Sequence, residues 1–130
     1  MAAGLHAVNL ANKWLDMLGG TAFTAPTNVY FKLHTGDPGA SAAANASAET
    51  TRVVASWAAA SGGSKAITAT LPSWASWSAG TETISHISVW DASTAGNFLY
   101  SFALTASKQV ENGDTLNMTS HSFAFTPLAA

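Results

Sequence analysis

The side chains able to do acid–base or ligand chemistry here are four histidines, His6, His34, His86 and His121, and seven carboxylates. Their spacing forms no local ligand cluster. The nearest approach to one is His34 with Asp37, which at one strand end could seed a metal or acid/base site. Turn chemistry is the competing reading: Asp37 stands before Pro38 and Gly39, and His34 falls on the solvent side of its strand. No Gly-x-Ser-x-Gly or Gly-x-x-x-x-Gly-Lys-Ser/Thr motif marks a serine nucleophile or a phosphate loop. The lack of cysteine removes disulfides, thiolate zinc sites and cysteine nucleophiles together. The residues name no catalytic group, no metal ligand and no cofactor, so the expectation is a protein that is not an enzyme.

The aromatic residues are more informative. On the run Thr83 to Trp90, His86 and Trp90 share a face, where a ring and an imidazole could make a glycan platform; a packed tryptophan with a satisfied histidine is the plainer reading. Trp57, Trp74 and Trp77 fall in or beside Ala/Ser-rich sequence. Such large rings need a surface to bury against, either the end of the domain or a protein interface, where tryptophan is enriched at the desolvated centre. Trp57, Trp74 and Trp77, with Asp37 and Pro38 of the turn, are the candidate interface residues.

The elements that must position these residues follow from periodicity. Leu5, Val8, Ala11, Leu15 and Leu18 have helical spacing over residues 4–18, and Gly19-Gly20 ends the helix at a left-handed position. The stripe Leu5, Val8, Leu15 and Leu18 is expected to dock on the sandwich or on a neighbouring subunit, and Leu15→Ala to be costly where that site is buried. From Asn28 onward, β-branched and aromatic residues come in short alternating runs separated by Gly, Pro, Asn and Asp. The runs are Asn28 to His34, Arg52 to Trp57, Lys65 to Leu71, Thr83 to Trp90, Asn97 to Leu104, Thr115 to Met118 and Ser120 to Thr126. The strongest pair is the hairpin Thr83 to Trp90 with Asn97 to Leu104. Gly36 to Thr50, poor in large side chains, reads as an exposed, protease-accessible loop. The expectation is one domain over residues 1–130, with a helix at 4–18 and an antiparallel β-sandwich or jelly roll over 28–126.

Composition narrows the class of partner. The chain has 130 residues, 48% of them hydrophobic and only 9% charged, with a net charge of −2. Five lysines and arginines scattered along it give no footprint for phosphate neutralisation, so nucleic acid is not an expected partner. No apolar run reaches membrane-span length, and Met1 to Leu18 lacks the pattern of a secretory signal. The Asn45 and Asn117 glycosylation triplets read as chance. So few charges call for Ser, Thr and Asn on the surface, or for a partner covering part of it.

The run Leu33-His34-Thr35-Gly36-Asp37-Pro38-Gly39, then Ala48-Glu49-Thr50-Thr51-Arg52 and Ala58-Ala59-Ala60-Ser61-Gly62-Gly63, carries a family resemblance. So does Ile84 to Ala92 with Phe98-Leu99-Tyr100-Ser101 and a late Gly113-Asp114. In order and spacing these resemble small virion structural proteins of actinobacterial tailed phages and prophages, labelled head decoration, minor tail or tail fibre proteins. The resemblance covers most of the chain from Val29 and implies a structural role assembled in the host cytoplasm. For a decoration protein it implies the major capsid protein as partner and a homotrimer on the capsid surface. For a tail protein it implies a fibre-associated or receptor-facing module. Decoration suits a small single unit without heptads or shaft repeats better than a fibre shaft does.

Overall fold

The computed structural model describes residues 3–68 and 71–125. Eight strands follow a short helix: β1 (Val29–His34), β2 (Val53–Ala55), β3 (Ser64–Ala66), β4 (Ser73–Trp74), β5 (Glu82–Trp90), β6 (Phe98–Val110), β7 (Leu116–Asn117) and β8 (Ser122–Ala124). They form a four-stranded sheet in the order β2-β1-β5-β6 and two ribbons, β3-β8 and β4-β7, all antiparallel. The fold is mainly β with one short N-terminal helix, as the sequence indicates.

Register builds the core. Phe31 and Leu33 of β1 pair with Val89 and Ile87 of β5, which pair with Tyr100 and Phe102 of β6. Directly opposed residues share a face, so these six side chains form one apolar surface. The ribbons lie over it: Tyr100 meets Phe123 of β8 edge-on at 5.2 Å, and Trp74 of β4 and Met118 after β7 join Leu33 and Ile87 in the buried cluster. The second layer is thus two ribbons rather than one sheet. The expected central hairpin is present, with its second strand running on to Val110. Elsewhere the strands are shorter than expected. Ala69, Thr70 and Thr126, at expected strand positions, lie outside the described residues.

The helix departs from its expected form. It runs as a π-helical turn Ala7–Ala11, an α-helical turn Asn12–Asp16 and a 3-10 turn Met17–Gly19. His6 O accepts from both Leu10 N and Ala11 N, so one extra residue is wound into the first turn and the phase of later side chains shifts. Leu10 and Trp14 turn inward, while Val8, Leu15 and Leu18 are 66%, 64% and 87% exposed. The expected docking stripe faces solvent, because a constant 3.6-residue period does not hold across a π turn. Gly20 does cap the helix with φ +86°, Gly20 N bonding Met17 O and Thr21 N bonding Asp16 O. Residues 4–6 add to the β6 edge, with His6 N donating to Leu99 O and Ser101 N to Gly4 O.

Gly36 to Thr50 is a loop, as expected, but folded on itself. Thr35 N bonds Asn45 O, Ala44 N bonds Pro38 O, and Ser47 N returns to Leu33 O. Glu82 of β5 closes its end, accepting from Ser47 Oγ at 2.5 Å and Ala48 N at 3.0 Å. Pro38, Ala42 and Ser47 are buried, so much of this backbone is tied down where a loose arm was expected.

Helix docking supplies a test. Leu10→Ala is expected to cost roughly 2–5 kcal/mol, as for a buried leucine, and Leu15→Ala to change stability by about half a kcal/mol or less. Urea denaturation of both variants measures the difference.

Candidate functional site

The sheet has a second, outer face. There His34 of β1 lies opposite His86 of β5, Lys32 opposite Ser88, and Tyr30 opposite Trp90. His34 is fully buried beneath the 36–50 loop, not on the solvent side as its alternation suggests. Its Nδ1 faces Ala44 O at 2.9 Å; a carbonyl only accepts, so Nδ1 carries the proton. Nε2 then accepts from Ser88 Oγ at 2.7 Å, and Ser88 Oγ accepts from Trp90 Nε1 at 2.8 Å. Burial pushes the His34 pKa down, with the Ala44 bond opposing and the charges of Lys32 and His86 adding to the depression.

A serine hydroxyl on a histidine nitrogen is the geometry of a nucleophile and its base. Here both residues are at 0% exposure, and His34 Nδ1, His34 Nε2, Ser88 Oγ and Trp90 Nε1 each already have a partner. The pair ties the loop to the sheet. Sequence spacing could not reveal it, because Ser88 and His34 stand 54 positions apart.

The candidate interface and glycan residues have distinct fates. Trp74 and Trp77 are 4% and 2% exposed, so within the chain they close the core and present no ring to a partner. Trp77 Nε1 donates to Gly80 O and Trp74 Nε1 to Thr51 O. Pro38 is fully buried, and Asp37 Oδ1 accepts from Gly39 N at 2.9 Å, which is turn chemistry; His34 turns to Ala44 and Ser88. His86 and Trp90 share the outer face with Ser88 between them. Arg52 Cζ covers the Trp90 ring at 3.7 Å and Phe98 abuts it, so the aromatic face needed for a sugar is taken. Among the described residues no three His, Asp or Glu gather as a metal site.

Trp57 borders the more apolar of two open grooves. This groove of about 700 Å³ runs between the helix and the β3-β8 ribbon, walled by Trp14, Phe23, Trp57, Tyr100, Phe123 and Phe125. Trp57 Nε1 is a buried donor with no acceptor among the described residues. Deeper in, His121 stacks on Phe102 at 3.8 Å, meets Phe31 and Trp57 edge-on, and shares a hydrogen bond between its Nε2 and the Tyr100 hydroxyl at 3.0 Å. Burial drives the His121 pKa down to about 4 and pushes the Tyr100 phenol up.

A family model described as podophage GP4 fiber I protein gp80 matches residues 7–126. The chain belongs to this Gp80 family. No curated protein matches it. Membership makes the protein a phage virion structural protein, the broad class that the resemblance implies. The Gp80 match spans the helix, the sheet, the His34 loop and the aromatic groove together.

Two measurements probe this interior. Ser88→Ala leaves His34 Nε2 buried without its partner and removes the acceptor of the half-buried Trp90 Nε1, and is expected to cost about 1–3 kcal/mol in thermal or chemical unfolding. Both His34 and His121 bind protons more weakly folded than unfolded, so the unfolded chain takes up more protons as pH falls below about 6.5. Stability is therefore fully present above that pH and declines toward pH 4, where His121 begins to titrate in the folded state. Tm measured across pH 4–8 is expected to fall on the acid side, with a shallower slope in His121→Phe.

Proposed function

We propose that this protein is a non-enzymatic module of the fibre apparatus of a tailed phage, joining neighbouring virion proteins. The carrying observation is the match of a fibre-protein family across residues 7–126, almost the whole chain. Two surfaces suit the role. The helix exposes Val8, Leu15 and Leu18, and the neighbouring groove exposes aromatic walls, a pairing of apolar patches of the kind that marks protein contacts. Holding the groove walls on a core of interlocked rings keeps that surface preformed, which lowers the ordering cost of association.

Capsid decoration is the second reading, with the major capsid protein as partner, a homotrimer as the assembly and the capsid surface as the location. Its support is the form of the unit, a short helix and a sandwich closed on themselves rather than a drawn-out shaft. Assembly in the host cytoplasm and an actinobacterial host belong to this proposal on the strength of the motif resemblance.

Quantitative mass spectrometry of purified virions, with antibody-gold labelling in electron micrographs, separates the readings. The fibre role expects a few copies set by tail symmetry and label at the tail. Hundreds of copies with label over the shell would establish decoration instead.

A further inference from the structure

Two of the five basic residues in this chain occupy one spot on the outer face of the sheet. The β1–β2 pairing ends at Phe31 with Val53, and its register carried one residue further sets Lys32 against Arg52, whose charge acts on it. Side chains so opposed leave the sheet on one face with Cβ atoms roughly 5 Å apart, and like charges there destabilise the strand pair. Arg52 is anchored, because Nη1 donates to Ala92 O at 3.0 Å and Ala95 O at 2.6 Å while its guanidinium lies over Trp90. Lys32 is half-buried, and its ammonium makes no hydrogen bond or ion pair among the described residues. The Tyr30 hydroxyl, one step along the same face, is likewise uncommitted there.

Asp91 partly offsets the charge of Arg52, although its carboxylate oxygens bond Asn97, at 2.6 Å from its N and 2.8 Å from its Nδ2; no carboxylate does the same for Lys32 among the described residues. Desolvation and the neighbouring guanidinium lower the Lys32 pKa, the expected mark of a cation held beside another without a counterion. In a chain otherwise sparing of charge, the fold sets two cations side by side and fixes one of them in place.

We propose that Lys32, Arg52 and the Tyr30 hydroxyl form an oxyanion site that takes the carboxylate of an Asp or Glu side chain on a neighbouring virion protein. Arg52 keeps Nε and Nη2 uncommitted among the described residues, and Lys32 adds a point charge, so a small planar carboxylate finds charged donors from two strands. A sugar acid fits less well, because Arg52 already occupies the face of Trp90 that a sugar ring would stack on. The site rests on the virion role proposed above, though not on the choice between fibre and shell.

The experiment supplies the protein in trans, as wild type, Lys32→Glu, Lys32→Met or Lys32→Arg, to a phage lacking its own copy, and counts copies in purified virions. Lys32→Glu and Lys32→Met are expected to melt no lower than wild type, since the repulsion with Arg52 is gone. Lys32→Glu nevertheless loses at least tenfold in incorporation, and Lys32→Arg restores most of it. Normal incorporation of Lys32→Glu overturns the site. Normal incorporation with lost adsorption to host cells overturns the virion partner and moves the carboxylate to the cell surface. Absence of the wild-type chain from virions defeats the virion role. Titration of the isolated full chain with N-acetylaspartate against N-acetylasparagine, at constant ionic strength, then decides the site alone. Saturable chemical-shift changes with the acid, lost in Lys32→Glu, support it; equal response to both probes overturns it.

Discussion

Phe31 has no exposed surface, and rings from three separate segments meet it edge-on: Trp57 after β2, Phe102 on β6 and His121 before β8. One short backbone bridge ties the main sheet to the β3-β8 ribbon, Trp57 after β2 lying against Ile67 with Ala58 N bonding Ala66 O and Thr68 N bonding Ser56 O, and the rest of the association is made by side chains crossing the gap. The ring cluster around Phe31 is where that crossing is densest. Edge-to-face pairs contribute on the order of 0.5–1.5 kcal/mol each beyond the area they bury, and here one ring serves three of them. The groove inherits its shape from this cluster, because Trp57 and Tyr100 belong to both. Register in turn depends on it, since a one-residue slip of β1 would send Phe31 to the outer face and bring Lys32 into the core.

The scarcity of charge makes neutral hydrogen bonds do what ion pairs do elsewhere. His34 and Ser88 are buried on the outer face at no evident loss because Ala44 O and Trp90 Nε1 complete their bonding. Glu82 bonds Ser47 and the Ala48 amide, and Asp91 bonds Asn97, so both carboxylates fix loops. Two long connections, the 36–50 loop and the β5–β6 turn, are held by such bonds. Gly96 shows how tightly the second is drawn: with φ +72°, a Cβ there would stand 2.5 Å from Asp91 Oδ1 and 2.7 Å from Ala92 Cβ.

A virion protein of the Gp80 family must hold its shape while neighbours bear on it, and the structure separates these duties. Rings and neutral bonds fill the interior. The surface keeps what the interior does not use: an apolar helix ridge, an aromatic groove and, on the opposite face of the sheet, a pair of cations. The ridge and the cations lie outside the core, while the groove shares Trp57 and Tyr100 with it.

The sequence by itself determined the class of the fold, the place of the helix stop at Gly20 and the central hairpin, because period-two alternation and glycine at positive φ are local physics. It also determined that Asp37 belongs to a turn. Tertiary structure decided the rest. The inward face of the helix turned on an extra residue in the first turn, and a stripe drawn at constant pitch cannot register that. Whether Trp74 and Trp77 were anchors or core depended on the short strand β4 pairing with β7 and on the 111–114 turn bonding to Trp77 N and O. His34 read as a solvent-side residue because alternation assigns faces but not what covers them; the returning loop supplied the cover. The groove and the Lys32–Arg52 pair are products of register between distant segments, and no spacing along one strand encodes which residue will stand opposite it on another.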